Sequence, residues 1–316
     1  MTASRAAARA SPNDDFLASV LEGLSRPCKS LPCRFLYDET GSALFEEITR
    51  QPEYYLTRVE TALLDAHAAR MLGAETVLVE FGSGASVKTE ILLRQARGLY
   101  AYAPVDICES FLAASARRLQ GRFPDLPIRP LPADFSHPIH LPADLAERGK
   151  LGFFLGSTIG NFAPPEAMRL LRAMRETLAP QGRLIVGVDL RKDARRLLAA
   201  YDDAQGVTAA FNLNLLSRIN REIDADFDLS AFRHQAIYDA DEGRVEMRLV
   251  SLRDQRARVR DSRFDFARGE TIHTENAYKF TIDAFRDIAR PAGWTPGRVW
   301  TDELRLFSIH ELHASL

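Results

Sequence analysis

Between Thr76 and Leu190 the chain alternates short, almost wholly apolar runs with amphipathic stretches. The apolar runs are TVLVEF (76–81), LYAYAPVDI (99–107), IRPLPADF (128–135), GFFLGST (152–158) and RLIVGVDL (183–190). A strand buried on both faces loses the polar alternation that water on one side would impose. Such runs therefore predict a parallel sheet covered by helices on both sides. The intervening SVKTEILLRQAR and PEAMRLLRAMRETLA have helical spacing, the second with Pro165 near its start and Gly182 just past its end. GWTPGRVWTDELRLFSIHEL (293–312) predicts two further strands joined by a turn and paired antiparallel at a sheet edge.

Two regions break the alternation. Residues 16–60 are helical and loop-like, and residues 192–280 begin as helices and continue as strands around the hairpin turn DADEG (239–243). The expected layout is a doubly wound, Rossmann-like α/β core formed by 61–191 and 281–316. A smaller, discontinuous α+β lobe, 1–60 with 192–280, binds substrate. No internal repeat or low-complexity linker separates them, so the cleft between lobe and core is the expected site.

A formal net charge of −2 offers no basic field for nucleic acid or an acidic membrane surface, and the longest apolar runs are too short to span a bilayer. Cys28, Cys33 and Cys108 form no metal-like cluster, and an odd number of cysteines points to a reducing cytoplasm. The N-terminal MTASRAAARASPNDDF has the arginine and alanine content of a transit peptide, yet it is short and ends at an acidic pair. It is read as a frayed tail. A monomer with a small-molecule substrate is expected.

The first apolar run leads into EFGSGAS, where Gly82 and Gly84 let the chain turn sharply and bring backbone N–H groups close to a ligand. A dinucleotide fingerprint needs a third glycine at position 87, and this chain has Val87. That weakens a nicotinamide or flavin reading. A degenerate G-x-G after an acidic strand end instead suits S-adenosylmethionine, which has no phosphate to cradle. Asp106 ends the second strand, where a carboxylate accepts both ribose hydroxyls, and Asp134 with Phe135 ends the third, placed to grip adenine. Each signal alone is weak, and a glycine pair is often only a turn. Three at successive strand ends point to the edge where open α/β sheets bind ligands.

FLYDETGSALFEEITRQPEYYLTRVE (35–60), VEFGSGASVKT, PVDICES, FLGSTIGNF (154–162), AYDDAQGVTAAFN (200–212) and HTENAYKF (273–280) carry a more specific signal. Together, and in order from about residue 30 onward, they resemble the L-histidine Nα-methyltransferases of ergothioneine biosynthesis. That family also has relatives acting on other aromatic amino acids. The resemblance implies a class I methyltransferase core, S-adenosylmethionine as methyl donor, and three methyl transfers to the α-amine. An in-line displacement of this kind needs a neutral amine aligned behind the methyl, and no metal. Desolvation and nearby positive charge, including the sulfonium itself, favour the deprotonated amine.

The resemblance also implies site residues. Asn161 corresponds to the asparagine that holds the amino end beside the Gly156 backbone, and Tyr201 to a tyrosine on the substrate carboxylate. Tyr54 lies near the imidazole, and Tyr37 lines the methyl-transfer region. Glu275 receives an imidazole N–H, and Met247 walls the pocket. Gly82, Lys88, Asp106, Asp134 and Phe135 take the cofactor positions. Without the resemblance, PEYY would be half-buried core, Glu275 and Lys88 surface charges, and Met247 core filler.

Three clusters carry no metal reading. HELH (310–313) lacks the spacing of a zinc helix, HPIH (137–140) is a proline-containing loop, and DADFDL (224–229) has Leu229 where a calcium loop needs glycine and Gln235 where it needs glutamate. A catalytically silent binding module is opposed by the intact set Asn161, Tyr201 and Glu275. A nicotinamide oxidoreductase is opposed by Val87.

One departure bears on substrate. The family usually has a serine on the imidazole two residues after the glutamate, and here the residue is Ala277. If a contact has been lost, Ala277→Ser tightens histidine binding by roughly tenfold to a hundredfold, the equivalent of about 1–3 kcal/mol. Calorimetric titration with histidine checks this, and unchanged or weaker binding shows that no contact was lost.

Overall fold

The structure is a computed structural model that describes residues 12–84 and 88–315. The N-terminal tail up to residue 11 and Val87 lie outside the described residues.

Twelve strands occur among the described residues. They are β1 (Val77–Phe81), β2 (Ala101–Asp106), β3 (Leu131–Pro132), β4 (Lys150–Phe154), β5 (Arg183–Asp189), β6 (Phe232–Asp239), β7 (Arg244–Ser251), β8 (Gln255–Val259), β9 (Ser262–Phe266), β10 (Thr271–Tyr278), β11 (Trp294–Thr301) and β12 (Phe307–Ala314). The main helices are α1 (Pro12–Ser25), α2 (Glu39–Ile48), α3 (Tyr55–Met71), α4 (Thr89–Gln95), α5 (Glu109–Arg122), α6 (Ala143–Ala146), α7 (Pro164–Leu178), α8 (Ala194–Tyr201), α9 (Val207–Glu222) and α10 (Ile282–Ala289).

Seven strands form one sheet in the order β11-β12-β5-β4-β1-β2-β3. β1 pairs in parallel with β2 and β4, and β4 with β5, so that Val79 faces Ala103 on one side and Gly152 on the other. β12 enters antiparallel beside β5, and β11 completes the hairpin at the edge. This is the expected doubly wound α/β sheet with an antiparallel C-terminal pair. β1 and β4 are buried at every position, in accord with runs that are apolar except for Glu80 and Lys150. The third strand is shorter than its sequence suggests. Pro127, Pro130 and Pro132 have no N–H to give to a ladder, and beyond an isolated bridge from Ile128 to Tyr102 the paired strand shrinks to Leu131–Pro132.

The chain forms two compact units. One comprises Pro52–Leu197, Tyr238–Val245 and Asn276–Leu316 and holds the seven-stranded sheet. Its core joins Val77, Val79 and Phe81 of β1 to Leu170, Leu171 and Met174 of α7, with Phe285 and Trp294. The other comprises Met1–Gln51, Leu198–Ile237 and Glu246–Glu275. Within it, Asp38 caps α2 through Gly41 N at 2.7 Å, and the same carboxylate accepts Asn214 Nδ2 of α9 at 2.8 Å. His273 exchanges backbone hydrogen bonds with Lys29 and Leu31, tying the N-terminal segment to β10. Phe227, Phe232 and Phe266 add an aromatic cluster. A three-stranded sheet, β10-β7-β6, has its turn at 239–243 as expected, and β8-β9 form a separate hairpin.

Trp294 is 1% exposed, and its indole donates to Leu171 O at 2.9 Å, joining β11 to α7. Trp294→Ala is expected to remove about 3–5 kcal/mol from the unit that holds the seven-stranded sheet. Urea unfolding followed by circular dichroism measures the loss.

Candidate active site

The C-terminal ends of β1 and β2 build the first part of the site. Gly82 (φ 69°) and Gly84 (φ 48°) both occupy the left-handed region that glycine tolerates, and Gly82 N donates to Val105 O at 2.9 Å. Gly84 N donates to Asp106 Oδ2 at 3.1 Å, and Asp106 Oδ1 accepts Cys108 N at 3.0 Å. A side chain at Gly82 would meet the Phe135 ring at 3.4 Å, whereas nothing lies within 4 Å of one at Gly84. Phe135 stands edge-on to Phe154 with centroids 5.6 Å apart. Gly82, Gly84, Asp106 and Phe135 are thus brought together. Asp134 is exposed, and its carboxylate accepts Ser136 N at 2.9 Å.

Glu80, the acid at the end of β1, is 4% exposed and accepts hydrogen bonds from Thr89 and Tyr102. Burial pushes its carboxyl up to about 7, against those two hydrogen bonds and the charge of Lys88.

The second part is the turn after β4. Gly156 (φ 80°) and Ser157 (φ 57°) are both left-handed, which throws the chain back into a short 3-10 turn, Thr158–Asn161. Gly156 N donates to the Glu60 carboxylate at 2.8 and 3.0 Å, and Lys88 Nζ reaches the same carboxylate at 2.5 Å. Gly160 is forced by packing, since a Cβ there would lie 2.7 Å from Tyr278 O. Ser157 Oγ accepts Asp189 N at 2.9 Å. The fully buried Asp189 carboxylate then gathers Tyr55 Oη (2.8 Å), Lys192 Nζ (2.6 Å) and Lys279 Nζ (2.9 Å). Burial lowers the Lys192 ammonium to about 8, with Asp189 opposing. Tyr54 is buried just ahead of α3, and its carbonyl accepts Arg58 Nη1 at 3.1 Å. Ala277, 3% exposed, lies on the stretch of β10 that belongs to this unit.

Tyr37, Tyr201, Met247 and Glu275 belong to the other unit. Tyr37 is half-buried and edge-on to Phe45 and Phe211, with centroids at 5.6 and 5.4 Å. Tyr201 ends α8, and its carbonyl accepts His234 Nε2–H at 2.8 Å, while His234 Nδ1 accepts Asn212 Nδ2 at 2.9 Å. Burial holds the His234 imidazole below its usual range, with the Tyr201 carbonyl opposing, so the neutral ring braces α8 against α9. Met247 is 2% exposed and its carbonyl accepts Thr274 Oγ1 at 3.0 Å, joining β7 to β10. Glu275 is buried. Among the described residues no group of three or more His, Cys, Asp or Glu is placed to hold a metal, and no helix is long and apolar enough to cross a membrane.

The profile of the family described as histidine-specific methyltransferase, SAM-dependent, matches residues 16–314. The chain belongs to this family. It is 42% identical to the histidine N-alpha-methyltransferase of Mycobacterium tuberculosis (strain CDC 1551 / Oshkosh) over 92% of either chain. The identity is also 42%, with the same coverage, to the histidine N-alpha-methyltransferase of Mycolicibacterium smegmatis (strain ATCC 700084 / mc(2)155). The crystal structure of PH0226 protein from Pyrococcus horikoshii OT3 shares the fold, with a TM-score of 0.52 at 14% identity over 88% of this chain and all of that one. Membership makes this histidine-specific methyltransferase family chain an S-adenosylmethionine-dependent enzyme.

Sequence reasoning passed over Glu60, Asp189, Lys192, Lys279 and His234. Glu60 left one signal. It stands four residues after Leu56 and three before Leu63, on the face of α3 that these leucines bury.

The raised Glu80 value sets the sign of a pH effect. The folded state holds a proton up to about 7, whereas an ordinary glutamate carboxyl loses its proton near 4.5, so stability falls as pH rises between the two. The whole effect is about 3 kcal/mol. Glu80→Gln is expected to remove this slope, since an amide does not ionise. Urea midpoints of both proteins at pH 5 and pH 7.5 test it, and parallel shifts would contradict the assignment.

Proposed function

We propose that this chain methylates the α-amine of free L-histidine and carries it to the trimethylated betaine, hercynine. The observation that carries this reading is the 42% identity, across 92% of both chains, to a histidine N-alpha-methyltransferase. The residues at the β1 and β2 ends suit the methyl donor. The backbone at Gly84 is open, Asp106 is half-buried and Phe135 offers a ring beside Gly82. Gly82, Lys88, Asp106, Asp134 and Phe135 are the residues that hold it.

S-adenosylmethionine, when bound, supplies an electrophilic methyl on a sulfonium. The chain's task is to present the amine uncharged and in line with that carbon. The Asn161 amide, on its tight turn beside Gly156, orients the nitrogen without adding a charge that would favour the ammonium. Tyr201 holds the substrate carboxylate, and Tyr54 and Glu275 hold the imidazole. Glu275 selects a ring with an N–H to donate, because a carboxylate accepts such a bond strongly. Tyr37, edge-on to Phe45 and Phe211, offers an aromatic face to a nitrogen that gains permanent positive charge as it is methylated. Met247 fills the wall. The enzyme acts as a monomer in the cytoplasm.

Ala277 favours one second reading, in which the same chemistry serves another aromatic amino acid such as tryptophan, whose ring makes no use of the absent hydroxyl. Mass spectrometry of the products from histidine, tryptophan and tyrosine, each with S-adenosylmethionine, decides between them. The histidine reading requires trimethylated histidine as the main product. Asn161→Ala is expected to cut turnover by about a hundredfold or more while donor affinity stays nearly constant. Asp106→Ala is expected mainly to weaken donor binding, and a swap of the two effects would contradict these roles.

A further inference from the structure

We propose that Glu60 is a positioning residue, one carboxylate that ties the donor side of the site to the amine side. The inference rests on the assignment of Lys88 to the methyl donor and of the Gly156–Asn161 turn to the substrate amine. Glu60 is 0% exposed, and an ionised carboxylate there must find its charge and its hydrogen bonds within the protein. It finds both at opposite ends of the reaction. Lys88, the residue before α4, supplies the charge at 2.5 Å and keeps a side chain 25% exposed. Gly156 N supplies the hydrogen bond, to Oε1 at 2.8 Å and to Oε2 at 3.0 Å. A Cβ at Gly156 would come within 3.3 Å of Lys88 Nζ, so the lysine lies against the turn that carries Asn161.

The fold makes room for this carboxylate. Gly187 sits in the middle of β5, where glycine weakens a strand. A Cβ at that position would lie 2.0 Å from Glu60 Oε1. The bare strand position is what allows the acid to lie over the sheet. Replacing Gly187 with alanine therefore displaces the carboxylate, the movable end of a side chain, without altering any charge. Glu60→Gln does the converse. Its amide oxygen still accepts from Gly156 N, but the neutral group no longer holds the ammonium of Lys88.

Calorimetry with S-adenosylhomocysteine, the histidine KM and thermal melting are measured for wild type, Glu60→Gln, Gly187→Ala, Lys88→Met and the Glu60→Gln/Lys88→Met pair. The expected result is about a tenfold loss of S-adenosylhomocysteine affinity in each single variant, with a raised histidine KM in Glu60→Gln and Gly187→Ala. In the double variant Lys88→Met adds less than about twofold, because Lys88 acts only when Glu60 aligns it. A purely structural role would lower the melting temperature and leave Kd and KM within about twofold of wild type. That outcome, or full additivity of the pair, overturns the proposal. If Glu60→Gln does not fold, Gly187→Ala decides alone by the same limits. A wild-type enzyme inactive on histidine would remove the substrate reading, and the S-adenosylhomocysteine measurements would still decide the role of Glu60.

Discussion

Charge removed from water must be matched inside the protein, and this constraint organises the carboxyl edge of the seven-stranded sheet. Glu60, Glu80 and Asp189 are all buried there, and each is matched differently. Asp189 is met by two ammonium groups and a phenol. Glu60 is met by one ammonium and one backbone N–H. Glu80 is met by two neutral hydroxyls, which do not offset the loss of hydration, and its carboxyl accordingly rises to about 7. These partners come from β2, α3, the start of α4, the residue after β10 and the turns after β4 and β5. The same three acids that would destabilise a generic core therefore fix the positions of the loops around the site.

The two left-handed residues after β4 depend on this arrangement. Gly156 turns towards Glu60, and Ser157, a non-glycine residue at φ 57°, is steadied by the hydrogen bond from Asp189 N. The backbone of Tyr278 closes over Gly160 and leaves no space for a larger residue. Asn161 therefore emerges from a turn held on three sides, the rigid support that the role proposed for it requires.

β1, β2, β4 and β5 were legible in the sequence because strands buried on both faces leave continuous apolar runs. β3 was legible only in part, since its prolines break the ladder that its apolar content suggests. The glycine pair and Asp106 could be placed from spacing alone, because strand ends are easy to locate. Tyr201, Met247 and Glu275 have no local pattern that separates them from core or surface residues, and only the resemblance to a family singled them out. Glu60 and Lys279 were missed for a physical reason. A charged residue is read as facing water, and the partners that bury each of these lie far away in sequence.

Leu190 and Phe280 form an isolated parallel bridge. Arg191 N donates to Phe280 O at 2.9 Å, and Phe280 N to Asp189 O at 3.1 Å, so the chain leaves and rejoins the sheet at a single neck. Once that neck is tied, bringing β12 to β5 closes a loop of about 25 residues rather than more than a hundred, and the entropy of closure falls accordingly.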